Sequence, residues 1–294
     1  MRNKQGNRPD QLWTTILPER SDITWAGPHD VVGQFCLGTE NGSVFWTNES
    51  GKLISGLSAA SRDREAINGV AFNARDMVVT TRSDCCYWTR PQLGSVLQKI
   101  TGEQFGYGSH GVVNGINNDF FLPCGHNGMM RLSRTKDHSP NSWIVSSDDA
   151  DINCYSVASF EGSDGDQLIA SALRKTGIAV GKVDIANPIS LHTMSITSDD
   201  DFINFSIIGG DKTPNSAYAL TRDGTIFLYN NICQPDLFSA ANFKELVRGS
   251  YQRILVVGNY TFVLSSDGLL NFKHFFVRSG HNIIPNSIIN YAVY

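Results

Sequence analysis

Thr221-Arg222-Asp223-Gly224-Thr225-Ile226-Phe227-Leu228-Tyr229 is a turn followed by an apolar strand, and the 294-residue chain carries this pattern six times. The other copies are Glu40-Asn41-Gly42-Ser43-Val44-Phe45-Trp46, Arg82-Ser83-Asp84-Cys85-Cys86-Tyr87-Trp88, His126-Asn127-Gly128-Met129-Met130-Arg131-Leu132, Lys175-Thr176-Gly177-Ile178-Ala179-Val180 and Ser266-Asp267-Gly268-Leu269-Leu270-Asn271-Phe272. An Asn-Gly or Asp-Gly pair between apolar runs signals a hairpin. A two-residue turn that follows strand twist needs positive φ, which Gly adopts without steric penalty. Asn and Asp tolerate that region next best. Four copies carry such a pair; Ser83-Asp84 and Thr176-Gly177 depart from it and are expected to turn differently.

The turns fall at 42, 84, 128, 177, 224 and 268, in steps of 42, 44, 49, 47 and 44 residues. A period of about 40–50 residues with strand-type content is the mark of a β-propeller with roughly four strands per blade. The expected fold is therefore all-β, a β-propeller of four-stranded blades, six in number. Seven is the alternative, because Ser287–Tyr294 reads like the first strand of a further blade, to be completed by residues outside this sequence or by a partner. The predicted blades are 22–57, 66–101, 111–145, 152–196, 202–247 and 254 onward, the last with strands over 261–265 and 269–277. Pro235–Ser250 is read as a helical turn followed by a strand over Phe243–Val247. Residues 1–10 are expected to form a flexible tail and residues 11–294 a single domain, opening with a short strand over 11–18.

Ahead of the turns runs a second repeat, the first strand of each blade. It contains Ile67-Asn68, Val113-Asn114, Ile152-Asn153 and Ile203-Asn204, and Ile254 stands at the corresponding place in the sixth unit. The recurring Asn is either a bridge to the neighbouring blade's backbone or an exposed loop residue.

Charged residues make up 18 % of the chain, below the usual quarter, and the net charge is −4. Without a Lys/Arg stripe, a nucleic-acid partner is not expected. Nor does any apolar run approach the ~20 residues of a membrane span. The polar first ten residues have no apolar signal core. The expected location is cytoplasmic, with the six cysteines reduced.

Local chemistry is sparse. Cys124-Gly125-His126 lacks further ligands nearby, so no metal site is expected. Cys85-Cys86 lies in a strand, where the two thiols point to opposite faces. No nucleophile elbow, HExxH, P-loop or dinucleotide motif occurs, and no cofactor is expected. The loops leading into the blades are more informative. Asp148, Asp149 and Asp151 precede the fourth blade, and Asp199, Asp200 and Asp201 precede the fifth. Arg62 and Arg64 flank Asp63 before the second, and Arg248 and Arg253 flank the same slot before the sixth. The repeat places all of these at one rim, acidic on one side and mixed or basic on the other. An acidic patch steers a basic partner in a salt-sensitive way.

The period, the hairpin turns and the aromatic close of the third strand resemble WD-repeat propellers. Trp46 and Trp88 fill the repeat-ending position, each followed by Thr rather than Asp, and Ser109-His110-Gly111 is the nearest match to a Gly-His pair. The resemblance covers most of the chain and points to no subfamily. These features lead to the expectation of a non-catalytic protein–protein interaction scaffold, binding through loops on one face. The alternatives are an enzyme or lectin-like binder at the channel mouth, using Trp25, Trp46, Trp88 or Trp143 as platforms, and a subunit of a larger multi-protein complex.

Overall fold

The computed structural model describes residues 17–284 except 19, 30, 32–33, 49–50, 59, 62, 74–75, 84, 91–94, 102–109, 116–118, 135–142, 148–152, 175–176, 184–189, 195–200, 209–215, 233–242, 258–259, 266–269, 273–276 and 280–281. The expected tail over 1–10, the helical turn after Pro235 and the segment Ser287–Tyr294 lie outside these residues. So does the expected strand over 11–18, save Leu17 and Pro18, which are not in a strand.

Five antiparallel four-stranded sheets follow one another along the chain, each a meander. The first is β1 (Ile23–Pro28), β2 (Gln34–Thr39), β3 (Val44–Asn48) and β4 (Leu53–Leu57). The second is β5 (Gly69–Phe72), β6 (Met77–Thr80), β7 (Cys85–Arg90) and β8 (Ser95–Thr101). The third is β9 (Val113–Asn114), β10 (Phe120–Pro123), β11 (Met129–Arg134) and β12 (Trp143–Ser147). The fourth is β13 (Cys154–Glu161), β14 (Gln167–Leu173), β15 (Gly177–Lys182) and β16 (Ser190–Met194). The fifth is β17 (Phe202–Ile208), β18 (Ser216–Thr221), β19 (Thr225–Asn230) and β20 (Phe243–Arg248).

The sixth unit departs from the expectation of six four-stranded blades. Among the described residues it is a three-stranded sheet of β21 (Tyr251–Val257), β22 (Tyr260–Ser265) and β23 (Leu270–Phe272). The strand expected over 269–277 is divided: β24 (Val277–Ser279) pairs with β25 (Asn282–Ile284) and not with β23.

The sheets stack face against face, which explains their sequences. The second strand of a blade is covered on both sides, so alternation gives way to continuous burial. All seven residues of β14, all six of β18 and all four of β6 are buried. In the third strand the side chains divide between neighbours, as the pleat requires. Tyr87 packs into the cluster shared with the first blade, beside Trp46 and Phe72. Cys86 and Trp88 pack toward the third blade, beside Phe120 and Leu132. Further clusters join blades three and four through Phe121 and Ile169, and four and five through Phe160 and Phe202. Ile254 of β21 completes a fifth, with Tyr218 and Leu228. Among the described residues, no helix is long and apolar enough to cross a membrane.

The repeated turn differs from the two-residue hairpin expected. In three copies the Gly N–H closes a four-residue turn, donating to Thr39, Gly125 and Thr221 carbonyls at 3.2, 3.0 and 3.0 Å. Gly42, Gly128 and Gly224 hold φ of 77°, 70° and 86°. Asn41, Asn127 and Asp223 are not in the left-handed region: among the described non-glycine residues only Arg64 and Asn231 have positive φ. The turn is thus the longer type that ends in one left-handed Gly. In the fifth blade the Thr221 hydroxyl donates to Asp223 and accepts from the Thr225 N–H, which keeps the turn polar and tight.

Candidate interaction face and channel mouth

Two turn glycines, Gly42 and Gly224, meet the loop that leads into the next blade. Ser61 N–H donates to the Gly42 carbonyl at 2.9 Å, and Gly249 N–H to that of Gly224 at 3.2 Å. Gly125 and Cys154 exchange two backbone bonds, both of 2.9 Å. Turns and leading loops therefore share one rim.

The first strands of successive blades touch: β5 with β9, β9 with β13, β13 with β17, and β17 with β21. They form the inner wall. Here the recurring Asn divides between the two expected roles. Asn204 Oδ1 accepts from Ile254 N–H of the next blade at 2.9 Å, a bridge. Asn153 Nδ2 lies 3.3 Å from His126 Nδ1 of the preceding blade. Asn68 stays within its own blade, accepting from the Thr80 hydroxyl at 2.8 Å, and Asn114 is exposed.

Of the residues placed at the rim by sequence, Asp148, Asp149, Asp151, Asp199, Asp200 and Arg62 lie outside the described residues. Asp201 is half-buried and engaged. One of its oxygens, Oδ2, lies 3.4 Å from Arg174 Nε and 3.3 Å from Arg222 Nε, arginines of two consecutive blades. It clamps the rim together and is not a free acidic patch residue. Arg64 is exposed in the left-handed region, with φ of 58° and its backbone against Gly42. Arg248 is exposed and lies 3.2 Å from Glu245. Its charge, together with hydrogen bonds from Thr221 (the largest effect) and Thr225, holds the Asp223 carboxyl below its ordinary range. Arg253 stands in the inner strand β21. It reaches solvent yet is crowded by protein, and that desolvation, followed by the charge of Arg82, lowers its proton affinity.

A second group of arginines lies at the turns: Arg82 and Arg222 stand in the quoted copies and Arg174 just ahead of one, and sequence reading took them only as turn chemistry. Arg82, Arg174 and Arg222 each follow the second strand of a blade. Arg222 sits over the Tyr155 ring at 5.4 Å. His110, from the loop leading into the third blade, lies 4.9 Å from the same ring on a tilted plane. Burial first, then the charges of Arg82 and Arg222, lower the His110 pKa. Arg222 of the fifth blade and His110 of the third thus meet at one tyrosine of the fourth. The signal in the sequence was the first turn residue, Arg in three copies.

Other expectations resolve into core chemistry. Trp46 and Trp88 are buried between blades, which removes them as sugar platforms; Trp25 is partly buried against the same cluster as Trp46. The side chain of Trp143 lies outside the description. Cys36, Cys86, Cys124 and Cys154 are buried and form no disulfide, and burial pushes Cys36 and Cys124 well above the usual thiol range. Among the described residues no three His, Cys, Asp or Glu side chains gather as a metal site. An ion pair that sequence reading missed is buried in the third blade, where Arg131 donates to Asp119 through Nε at 2.8 Å.

No protein-family model matches the chain, and no curated protein matches it. Solved structures do. The β-propeller domain of Cps50 (Swd1) from Myceliophteria thermophila superposes with a TM-score of 0.60 at 10 % identity, covering 92 % of this chain and 90 % of that one. A chain of the Mitotic Checkpoint Complex gives 0.61 at 11 % identity, covering 87 % and 75 %. The computationally designed Ika8 protein gives 0.56 at 13 %, covering 87 % and 71 %. The chain has a WD-repeat-like β-propeller fold. At these identities the likeness speaks for this propeller's fold alone, and it selects no subfamily.

Proposed function

We propose that this propeller is a non-catalytic scaffold that captures another protein on the rim where turns and leading loops meet. The observation that carries the reading is how that rim is built. Charged, exposed side chains stand on irregular backbone at Arg64 and Arg222 and at a strand end at Arg248. Turn-glycine contacts and the Asp201 clamp hold that backbone in place from blade to blade. A stiff polar rim loses little conformational freedom when a partner docks.

In this reading Asp148, Asp149, Asp151, Asp199 and Asp200 supply an acidic sector that attracts a basic surface, while Arg62, Arg64, Arg248 and Arg253 form the opposing sector. The ring counts six blades, with β21–β23 as the sixth, in one domain over 11–294. The presence of the same fold within the Mitotic Checkpoint Complex supports a role as one subunit of a larger assembly. Four buried cysteines outside any disulfide support a reducing, cytoplasmic setting.

The test is affinity capture from cell extract at two salt concentrations, followed by the variant D148S/D149S/D199S/D200S. Asp201 is left intact because it holds Arg174 and Arg222. Capture of a specific partner is expected to weaken with salt and with the variant. Capture that ignores both removes the acidic sector from the function.

A further inference from the structure

We propose that blades four, five and six open and close as one cooperative body, held along the inner wall by a clasp of short polar side chains. Among the described residues β13, β17 and β21 each stand at the end of their sheet. One edge of each backbone therefore has no strand to bond, and buried N–H and C=O groups there need another partner. In these blades the partner is a side chain of the preceding blade. The Phe205 N–H of β17 donates to the Ser156 hydroxyl of β13 at 3.2 Å, and Asn204 Nδ2 approaches the same oxygen at 3.5 Å. One blade further on, β17 takes both backbone groups of Ile254 in β21. The Ile254 N–H donates to Asn204 Oδ1, and its carbonyl accepts from the Ser206 hydroxyl, each at 2.9 Å. Asn204 thus serves both seams, with its amide nitrogen toward blade four and its amide oxygen toward blade six.

The backbone aims these groups. Each of the three strands carries a bulge, because its pairing with the second strand shifts between Cys154 and Ser156, between Phe202 and Asn204, and between Tyr251 and Arg253. A bulge bends the strand and re-aims the side chains beside it. The residues that follow the first two bulges, Ser156 and Asn204, are those that reach the next blade. Blade one repeats the arrangement: its register shifts between Ile23 and Trp25, and the intervening Thr24 hydroxyl donates to the Ile67 carbonyl ahead of β5 at 2.7 Å. The apolar seams coincide with the clasp. Ala158 and Phe160 of blade four pack with Phe205 of blade five, and Tyr218 and Leu228 of blade five with Ile254 of blade six. Phe205 and Ile254 each combine a clasped backbone with a buried side chain. Parting two of these blades therefore breaks hydrogen bonds and apolar contact in one step, and strong interfaces between neighbouring units are what make repeated units cooperative.

Native-state hydrogen exchange of the whole chain, followed by NMR at rising low concentrations of denaturant, tests the inference. The amides of β14, β18 and β22, with those of Phe205 and Ile254, are expected to converge on one opening free energy. Asn204→Leu keeps the side chain's size but cannot accept the Ile254 N–H. It is expected to speed Ile254 exchange about tenfold and to part β22 of blade six from blades four and five. Where that variant does not fold, Ser206→Ala replaces it and is expected to act on Ile254 in the same direction. Separate opening free energies for β14, β18 and β22 in the unaltered protein overturn the inference. So does Ile254 exchange that the variant leaves unchanged.

Discussion

Replacing Gly224 by Ala tests whether the turn glycine holds one blade against the next. Gly224 has φ of 86°, so an L side chain there costs about 1–2 kcal/mol in backbone conformation alone. A methyl group would also sit 1.8 Å from the Gly249 carbonyl oxygen, and 2.9 Å from both the Gly249 carbonyl carbon and Tyr251 N. All three are backbone atoms of the loop leading into β21, so no rotamer change relieves the contact. The loop must withdraw. It then loses the 3.2 Å bond from Gly249 N–H to the Gly224 carbonyl, about 1 kcal/mol, and disturbs packing between blades five and six, about 1–3 kcal/mol. The sum is on the order of 3–6 kcal/mol. Gly165 is the matched control. Its φ of 80° is nearly the same, but the nearest atom to an added methyl is Glu161 Oε1 at 3.9 Å. Gly165→Ala should therefore show only the backbone cost of about 1–2 kcal/mol. Denaturant unfolding of both variants isolates the difference, about 2–4 kcal/mol, or a further fall in thermal midpoint of several degrees. Equal losses for the two variants would refute the inter-blade role of the turn.

Two further outcomes follow from buried and clustered charge. Arg131→Met leaves Asp119 buried without its main cation and should cost about 3–5 kcal/mol. The double variant D119L/R131M should recover most of that loss in chemical denaturation, because well-packed apolar side chains can replace a buried ion pair. His110 has a folded pKa below its ordinary 6.5, so its contribution to stability is complete above 6.5 and is lost as pH falls through the lower folded value. An NMR titration of the His110 ring should place its midpoint below 6.5, and Arg82→Ser should move it upward; a midpoint indifferent to Arg82 would separate the two residues.

The sequence carried the ring's order better than its details. The 42- to 49-residue step fixed where each blade starts because every repeat must present a first strand, a buried second strand and a glycine turn in the same order. Blade limits such as 66–101 and 202–247 match the observed sheets to within a few residues. The turn itself was read one residue too short. Asn-Gly and Asp-Gly fit either hairpin type, and the hydrogen bond to Thr39 or Thr221 that separates them leaves no mark on the pair. Trp46 and Trp88 were weighed as ligand platforms because composition does not say which face of a strand is covered. The acidic loops drew attention as blocks of charge, whereas Arg174 and Arg222 stand singly, 48 residues apart. The stacking of blades four and five brings both to Asp201, and no short window along the chain contains that cluster.

One structural slot then decides the character of the mouth. In blades one, four and five, the residue after the second strand donates its N–H to the loop leading into its own blade: Glu40 to Asp22, Arg174 to Asn153 and Arg222 to Asp201, at 2.9, 2.9 and 2.8 Å. Because the backbone fixes that position, its side chain is free to vary without disturbing the blade. Arg82 stands at the corresponding point of blade two. The slot thus holds Glu40 in the first blade and an arginine in the second, fourth and fifth. A substitution at this slot changes what the mouth attracts while the glycine that follows keeps the blades in register. The turn that specifies the fold also positions the mouth's charges, which is why a degenerate repeat can keep its architecture while its rim chemistry diverges.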